Sequence, residues 1–222
     1  HTSLALALAA EGRSADARAE LTPGASRRSD LVRGALARDA GDLEAARAPL
    51  ASAENRAGEN IQRWAMDWLR PPATNFLQLS QGLDLGYIDG FSGGEEGPAG
   101  TFRWLSGAGR IQLPLSTPLA PGSEVLLRLT SGRPGPVPLD AWAGDRWLGQ
   151  VQVASGEWRV YRFALPSELV GSQTLDLRLR APEKLYVSGM GLESEWRANF
   201  QVAGTSAAPV VTGNVSLIRG TL

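Results

Sequence analysis

The sequence predicts a short helical region followed by an antiparallel β-sandwich, so the chain is expected to be mainly β. Apolar and polar residues alternate in short runs from residue 77 to residue 180, which is typical of a sheet with one buried face. Turn signals such as Pro121-Gly122 and Gly144-Asp145 separate these runs at about ten-residue intervals, the spacing of an antiparallel sandwich. Residues 1–70 are instead rich in Ala, Arg, Leu and Glu, which favour helix. The predicted linker between the two regions is Pro-Pro-Ala-Thr at 71–74.

Three helices are predicted in the second half of the helical region, with bounds 29 or 30 to 39, 43 to 53, and 60 to 70. Ser29 or Asp30 is expected to cap the first, and Asp42 the second. Residues 4–10 are interpreted as an amphipathic helix, since they lack the basic flank of a signal segment and the roughly 20 residues of a membrane span. Because the first residue is His1 rather than Met, we expect a fragment or a processed piece.

The sandwich is predicted to occupy residues 75–181, with strand segments at 101–115, 123–130, 139–153, 156–166 and 173–181. In the last segment, Leu175, Leu177 and Leu179 are expected to face the core, and the intervening Asp176, Arg178 and Arg180 to face solvent. Phe102 and Trp104 share strand parity and are expected in the core.

Composition argues against most enzyme classes. The net charge of −1 gives no electrostatic basis for binding nucleic acid. There is no cysteine, and the single histidine is His1, so neither a cysteine nucleophile nor a Ser-His-Asp triad is expected. No phosphate-binding GxxxxGK[ST] motif is present. We therefore predict a non-enzymatic protein without a cofactor or a metal.

Four carboxylates gather in a glycine-rich stretch: Asp84, Asp89, Glu95 and Glu96. A glycosidase needs two carboxylates on either side of the scissile bond, and calcium binds similar oxygens. Their spacing matches neither motif, so solvated loop carboxylates are the favoured interpretation.

Aromatic residues offer a candidate sugar-binding site, because sugar rings stack on Trp and Tyr side chains. The candidate residues are Tyr87, Trp142, Arg146 and Trp147, the last three lying at one predicted turn. The alternative is that the Trp side chains pack in the core, as they usually do in small sandwiches.

Residues 29–180 resemble a known arrangement of two modules. Gly34, Ala46, Leu50 and Ala53 have the spacing of tetratricopeptide packing positions. The motifs Leu-Asp-Leu-Gly-Tyr at 83–87 and Phe-Arg-Trp at 102–104 resemble the galactose-binding-like, jelly-roll sandwich that ends some bacterial membrane proteins of glycosyltransferase type. The resemblance implies an extracytoplasmic envelope module, in the periplasm or at the outer face of the inner membrane.

Residues 175–222 are similar to the C-terminal region of TamB-type (translocation and assembly module) envelope proteins. The similarity rests on VSGMGLESEW at 187–196, VAGT at 202–205 and VSLIRGT at 215–221. It implies that 182–222 is a β-strand tail of an apolar-lined groove implicated in lipid transport and outer-membrane assembly. Trp196, Ala198, Phe200 and Val202 alternate along one strand; their face is expected either to form the lipid path or to pack on the preceding strands.

Together these features predict a non-catalytic extracytoplasmic module of a bacterial envelope protein that binds glycan or acts as a scaffold. The alternative is a fragment of a TamB-type bridge for lipid transport or outer-membrane protein assembly. The expected partners are glycan or lipid and other envelope proteins, and not nucleic acid.

Overall fold

The computed structural model describes residues 1–55, 60–79, 82–97 and 100–181, together with the backbone of strands within 184–189, 192–205 and 208–221. For residue 106 only the backbone is described. The Met190-Gly191 pair of the TamB-like motif, and Leu222, lie outside the described residues.

Five helices are described: α1 Thr2–Ala10, α2 Ser14–Ala19, α3 Arg27–Asp39, α4 Leu43–Asn55 and α5 Ile61–Trp68. The predicted caps of α3 are wrong, because the helix begins about one turn earlier. Its cap is Ser26, whose side-chain oxygen accepts the Ser29 N–H at 3.0 Å. The predicted cap of α4 is confirmed, since the Asp42 carboxylate accepts the Ala45 N–H at 3.0 Å. α5 ends at Trp68, two residues short of the prediction.

The first helix forms as expected but is not amphipathic. Every residue from Leu4 to Ala10 is apolar, so no polar face exists, and Leu4 is half exposed while Ala5 is buried. Within the described part of the chain, no helix has the length and apolar character needed to cross a membrane.

α3 and α4 pack closely at a glycine. A Cβ on Gly34 would lie 2.5 Å from the Cγ of Leu50, and Ala46, Leu50 and Ala53 are fully buried. The four predicted packing positions therefore form a helix–helix contact. The tetratricopeptide assignment itself stays a prediction.

Twelve strands are described, and the paired strands are antiparallel. They are β1 Ile88–Phe91, β2 Glu95–Gly97, β3 Gly100–Phe102, β4 Leu105–Pro114, β5 Glu124–Leu129, β6 Val137–Ala143, β7 Arg146–Val153, β8 Arg159–Ala164, β9 Thr174–Arg180, β10 Lys184–Gly189, β11 Leu192–Thr205 and β12 Ala208–Thr221. The largest sheet has the order β1-β4-β9-β6-β7; β5–β8 and β2–β3 form two-stranded ribbons, and β10-β11-β12 a separate sheet.

One apolar core lies between the five-stranded sheet and the β5–β8 ribbon. Leu175, Leu177 and Leu179 of β9 are buried as predicted, and Val125 and Phe163 of the ribbon belong to the same core. The antiparallel organisation is thus confirmed. The sheets are open, however, and five helices accompany them, so the described part of the chain combines α and β elements. The jelly-roll, galactose-binding-like sandwich and the boundary at 71–74 remain predictions.

Polar contacts join α5 to the edge strand β1. The Gln62 side chain donates to the Phe91 carbonyl at 2.9 Å and accepts the Phe91 N–H at 3.0 Å. The Gln62 amide therefore hydrogen-bonds both backbone groups of Phe91 at the edge of the sheet, as a neighbouring strand would.

Candidate functional site

A transverse row of side chains crosses the outer face of the five-stranded sheet. The register pairs Asp89 with Arg110, Arg110 with Arg178, Arg178 with Trp142, and Trp142 with Trp147. Directly paired residues of an antiparallel sheet point to the same face. The row therefore places these five side chains on the face opposite the core.

Four members of the row, all but Trp147, line an open groove of about 460 Å³. Arg63 of α5 and Asp145, from the β6–β7 turn, line it as well. Its lining is Arg63, Asp89, Ala108, Gly109, Arg110, Trp142, Asp145, Arg178, Leu179 and Arg180. We call this surface the arginine groove.

Carboxylates hold three of the four arginines in place. Asp89 is buried and accepts from the Arg63 Nε at 2.6 Å and the Asn60 Nδ2 at 3.1 Å. Asp176 accepts from the Nε and Nη2 of Arg110 at 2.8 and 3.1 Å. These hydrogen bonds raise the pKa of the Arg110 guanidinium above its usual range. The third pair joins Arg178 and Asp145 at 3.2 Å.

The structure brings together three of the four predicted sugar-binding residues. Trp142 is half-buried in the arginine groove, and Trp147, 63% exposed, is its cross-strand partner. Arg146 and Trp147 line a second open groove of about 460 Å³ beside Ala164–Pro166. Asp145 lines both grooves.

Tyr87 lies apart from these residues. It immediately precedes β1, and β1 and β7 are opposite edges of the sheet. Tyr87 is buried, and its hydroxyl donates to the Pro72 carbonyl at 2.7 Å. Burial raises its pKa. The Arg38 guanidinium lies 5.5 Å from its ring centre, so these contacts tie Tyr87 to α3 and to the segment that follows α5.

The carboxylate cluster is not solvated as expected, because Asp84 and Asp89 are both buried. Asp89 pairs with Arg63, and Asp84 with Arg103. Glu95 and Glu96 lie on β2, where Glu95 is half-buried and Glu96 is exposed. Among the described residues, no three His, Cys, Asp or Glu side chains form a group that could hold a metal ion.

Arg103 is the centre of a buried ionic network that the sequence did not indicate. Its Nε and Nη2 each donate to Asp84 at 2.6 Å, and its Nη1 donates to Glu54 of α4 and to the Ser92 carbonyl. The side chains of Arg103 and Asp84 are fully buried. Burial, aided by the Asp84 charge, raises the pKa of Glu54. The network fastens α4 to the sheet region.

The burial of Arg103, which lies between β3 and β4, reverses the parity predicted for the segment 101–115. Phe102 is half-buried and Trp104 is 39% exposed, so placing them in the core was wrong. They instead form an edge cluster with Trp158, with ring centres 5.4 and 5.8 Å from that of Phe102. The Arg103 side chain is buried because two carboxylates that are distant in sequence, Asp84 and Glu54, pair with it in the interior.

The C-terminal strands form an amphipathic sheet by register. β11 and β12 pair Ala198 with Val215, Phe200 with Gly213 and Val202 with Val211. The alternate pairs are Arg197 with Ser216, Asn199 with Asn214 and Gln201 with Thr212. Because alternate positions of a strand belong to opposite faces, apolar and polar residues are on opposite faces of this sheet from Arg197 to Val202 of β11.

Residues 161–222 match the family described as the TamB C-terminal domain. The match begins at Tyr161 in β8, earlier than the predicted start at 175, and covers little more than a quarter of the chain. It therefore includes β9, the central strand of the five-stranded sheet. Neither a curated protein nor a solved structure matches the chain. The C-terminal part of this protein is thus similar to an envelope-associated family that works with lipids and other envelope proteins.

Proposed function

We propose that this chain is part of a TamB-type envelope protein whose C-terminal sheet, β10–β12, binds the acyl chain of a phospholipid. The supporting observation is the coincidence of the family match with a sheet whose register separates apolar from polar residues. An apolar strand face is what an acyl chain requires, because contact removes hydrocarbon from water.

The proposed role is non-catalytic and extracytoplasmic. Two 14-residue strands, β11 and β12, pair over nearly their whole length. At about 3.4 Å per residue each extends over 40 Å or more, longer than an acyl chain. The glycan-binding or scaffolding module expected from the other resemblance has no support from the family match and stays a prediction.

Phospholipid transfer tests this proposal with two neighbouring positions of β11. The full chain is mixed with vesicles of phosphatidylethanolamine and phosphatidylglycerol containing a trace of dansyl-labelled phosphatidylethanolamine, and uptake is followed by fluorescence. Phe200→Asp places a charge on the apolar face, whereas Gln201→Asp places the same charge on the polar face. Since a buried apolar side chain contributes roughly 1.5–3 kcal/mol, we expect Phe200→Asp alone to weaken uptake at least tenfold.

Circular dichroism of each variant provides the folding control. If the unsubstituted chain takes up no labelled lipid, or if the two substitutions have equal effects, the proposal is wrong. If Phe200→Asp is unfolded, Val202→Asp is used in its place, because Val202 is the next residue of β11 on the same face.

A further inference from the structure

The arginine groove concentrates positive charge on a chain whose net charge is negative. Its lining contains four arginines and two aspartates, a formal charge of +2, against −1 for the whole chain. Adding Asp176, which pairs with Arg110 beside the groove, still leaves it positive. An anion entering the groove therefore meets an attractive potential.

Two arginines of the groove are held directly opposite each other. Arg110 of β4 and Arg178 of β9 are register partners, an arrangement that is destabilising for like charges in a sheet. A single carboxylate, Asp176, lies within 3.7 Å of both guanidinium groups. Arg178 also pairs with Asp145, whose side chain is 94% exposed, at 3.2 Å, so water or a ligand competes for this guanidinium group.

Arg180 adds a further donor at the next position of the same face. It is exposed, and its cross-strand neighbour Asp140 accepts from Gln150 at 3.0 Å. Within the part of the chain that the structure describes, no carboxylate lies within 4 Å of the Arg180 guanidinium. Its planar N–H groups are thus available for the bidentate contacts that arginine makes with phosphate or carboxylate.

Trp142 supplies an apolar surface beside these cations. It is half-buried in the groove lining and pairs with Arg178 across β6 and β9. A sugar ring has an apolar C–H face that stacks on an indole, and its hydroxyls accept hydrogen bonds from guanidinium groups. A fully apolar ligand would leave the arginines unsatisfied, and a bare anion would make no use of the indole.

We propose that the arginine groove binds an anionic sugar, a sugar ring that carries a phosphate or a carboxylate. The ring stacks on Trp142, and the anionic group is bound by Arg180 and Arg178. Every described residue that lines this groove precedes the C-terminal sheet β10–β12 in the chain, so the proposal can be tested independently of the proposed lipid function.

Isothermal titration of the full chain tests the site with four probes: glucose 6-phosphate, glucuronate, glucose and inorganic phosphate. We expect at least one anionic sugar to bind about tenfold more tightly than either glucose or phosphate, because only it engages both the indole and a charge-assisted hydrogen bond. Higher ionic strength should weaken this binding.

Three variants locate the binding. Arg180→Gln should weaken it about tenfold, and Trp142→Leu should reduce the affinity for the anionic sugar to that for phosphate. Arg162→Gln is the control, because Arg162 is an exposed arginine of β8 that lies outside both grooves. The proposal is overturned if no anionic sugar exceeds both simple probes, or if Arg162→Gln weakens binding as much as Arg180→Gln. Thermal unfolding shows whether Trp142→Leu is folded. If it is not, the result for Arg180→Gln decides the test.

Discussion

Two arginine–carboxylate networks lie close together along the chain and differ in almost every physical respect. The first is centred on Arg103, just before β4, where the arginine and Asp84 are fully buried. The second is centred on Arg110 within β4, where Arg110 and Asp176 are 38% and 23% exposed. Both contain a two-pronged arginine–aspartate pair with similar hydrogen-bond lengths.

Burial, rather than hydrogen-bond geometry, separates their roles. A buried charge that loses its partner has no water to replace it, so breaking the Arg103 network should cost much of the stability of the chain. In the second network water competes for every group, and each pair contributes little to stability. Its arginines can therefore exchange a carboxylate or water for a ligand at low cost. The first network therefore stabilises the fold, and the second forms a surface whose arginines are accessible to a ligand.

The largest effect expected is that of Asp84→Asn. This substitution leaves the fully buried Arg103 without its two-pronged anionic partner, which should lower the free energy of unfolding by about 3–5 kcal/mol. Urea denaturation followed by circular dichroism measures the loss. In the double variant Asp84→Asn/Arg103→Met the uncompensated cation is gone, so the loss should be smaller than the sum of the two single losses. Strict additivity would mean that the pair is not coupled.

A smaller effect is expected from Glu54→Gln, and it should depend on pH. Burial raises the pKa of Glu54 in the folded chain above the unfolded value of 4.5. The native state consequently binds more protons, so the contribution of Glu54 to stability is complete below pH 4.5 and is lost as pH rises through the folded pKa. Glutamine does not ionise. The stability of Glu54→Gln relative to the unsubstituted chain should therefore increase with pH above 4.5.

Urea denaturation at a series of pH values measures this trend. Glu44→Gln is the control, since Glu44 is an exposed residue of the same helix, α4. A stability difference for Glu54→Gln that stays constant with pH, or that falls as pH rises, would contradict the assigned direction.

The smallest effect is expected from Asp176→Asn in the exposed network. Removing this carboxylate should cost at most about 1 kcal/mol, because water replaces the lost hydrogen bonds of Arg110. Asp145→Asn, in the more exposed pair with Arg178, should cost still less. The same denaturation measurements apply. A loss for Asp176→Asn as large as that for Asp84→Asn would remove the distinction between the two networks.

Strand alternation predicted much of the five-stranded sheet and part of its surface. The run 173–181 was sufficient to assign Leu175, Leu177 and Leu179 to the core and the arginines of β9 to the outer face, as observed. The same pattern could have indicated the arginine groove, since Arg178 and Arg180 share a face. The pattern could not place Arg110 and Arg63 in the groove. Their positions depend on which strand pairs with β9 and which helix packs beside β1.

The Arg103 network was not predictable by the same logic. Parity suggested that Phe102 and Trp104 turn inward and that Arg103 turns outward, and the reverse was observed. The cost of burying an arginine is offset here by carboxylates 19 and 49 residues away in sequence. A local pattern contains no information about partners at such separations.

The sequence by itself determined the order of helices and antiparallel strands, the two-faced character of the sheets and the TamB-like C-terminal segment. These depend on local periodicity and on motifs that lie within one stretch of chain. Only the tertiary structure decided which charges are buried, which arginines share a surface, and that Tyr87 lies across the sheet from Trp147. The physical reason is that a charge's energy depends on how much water surrounds it and on which charges lie nearby. Both are set by long-range strand order and helix docking.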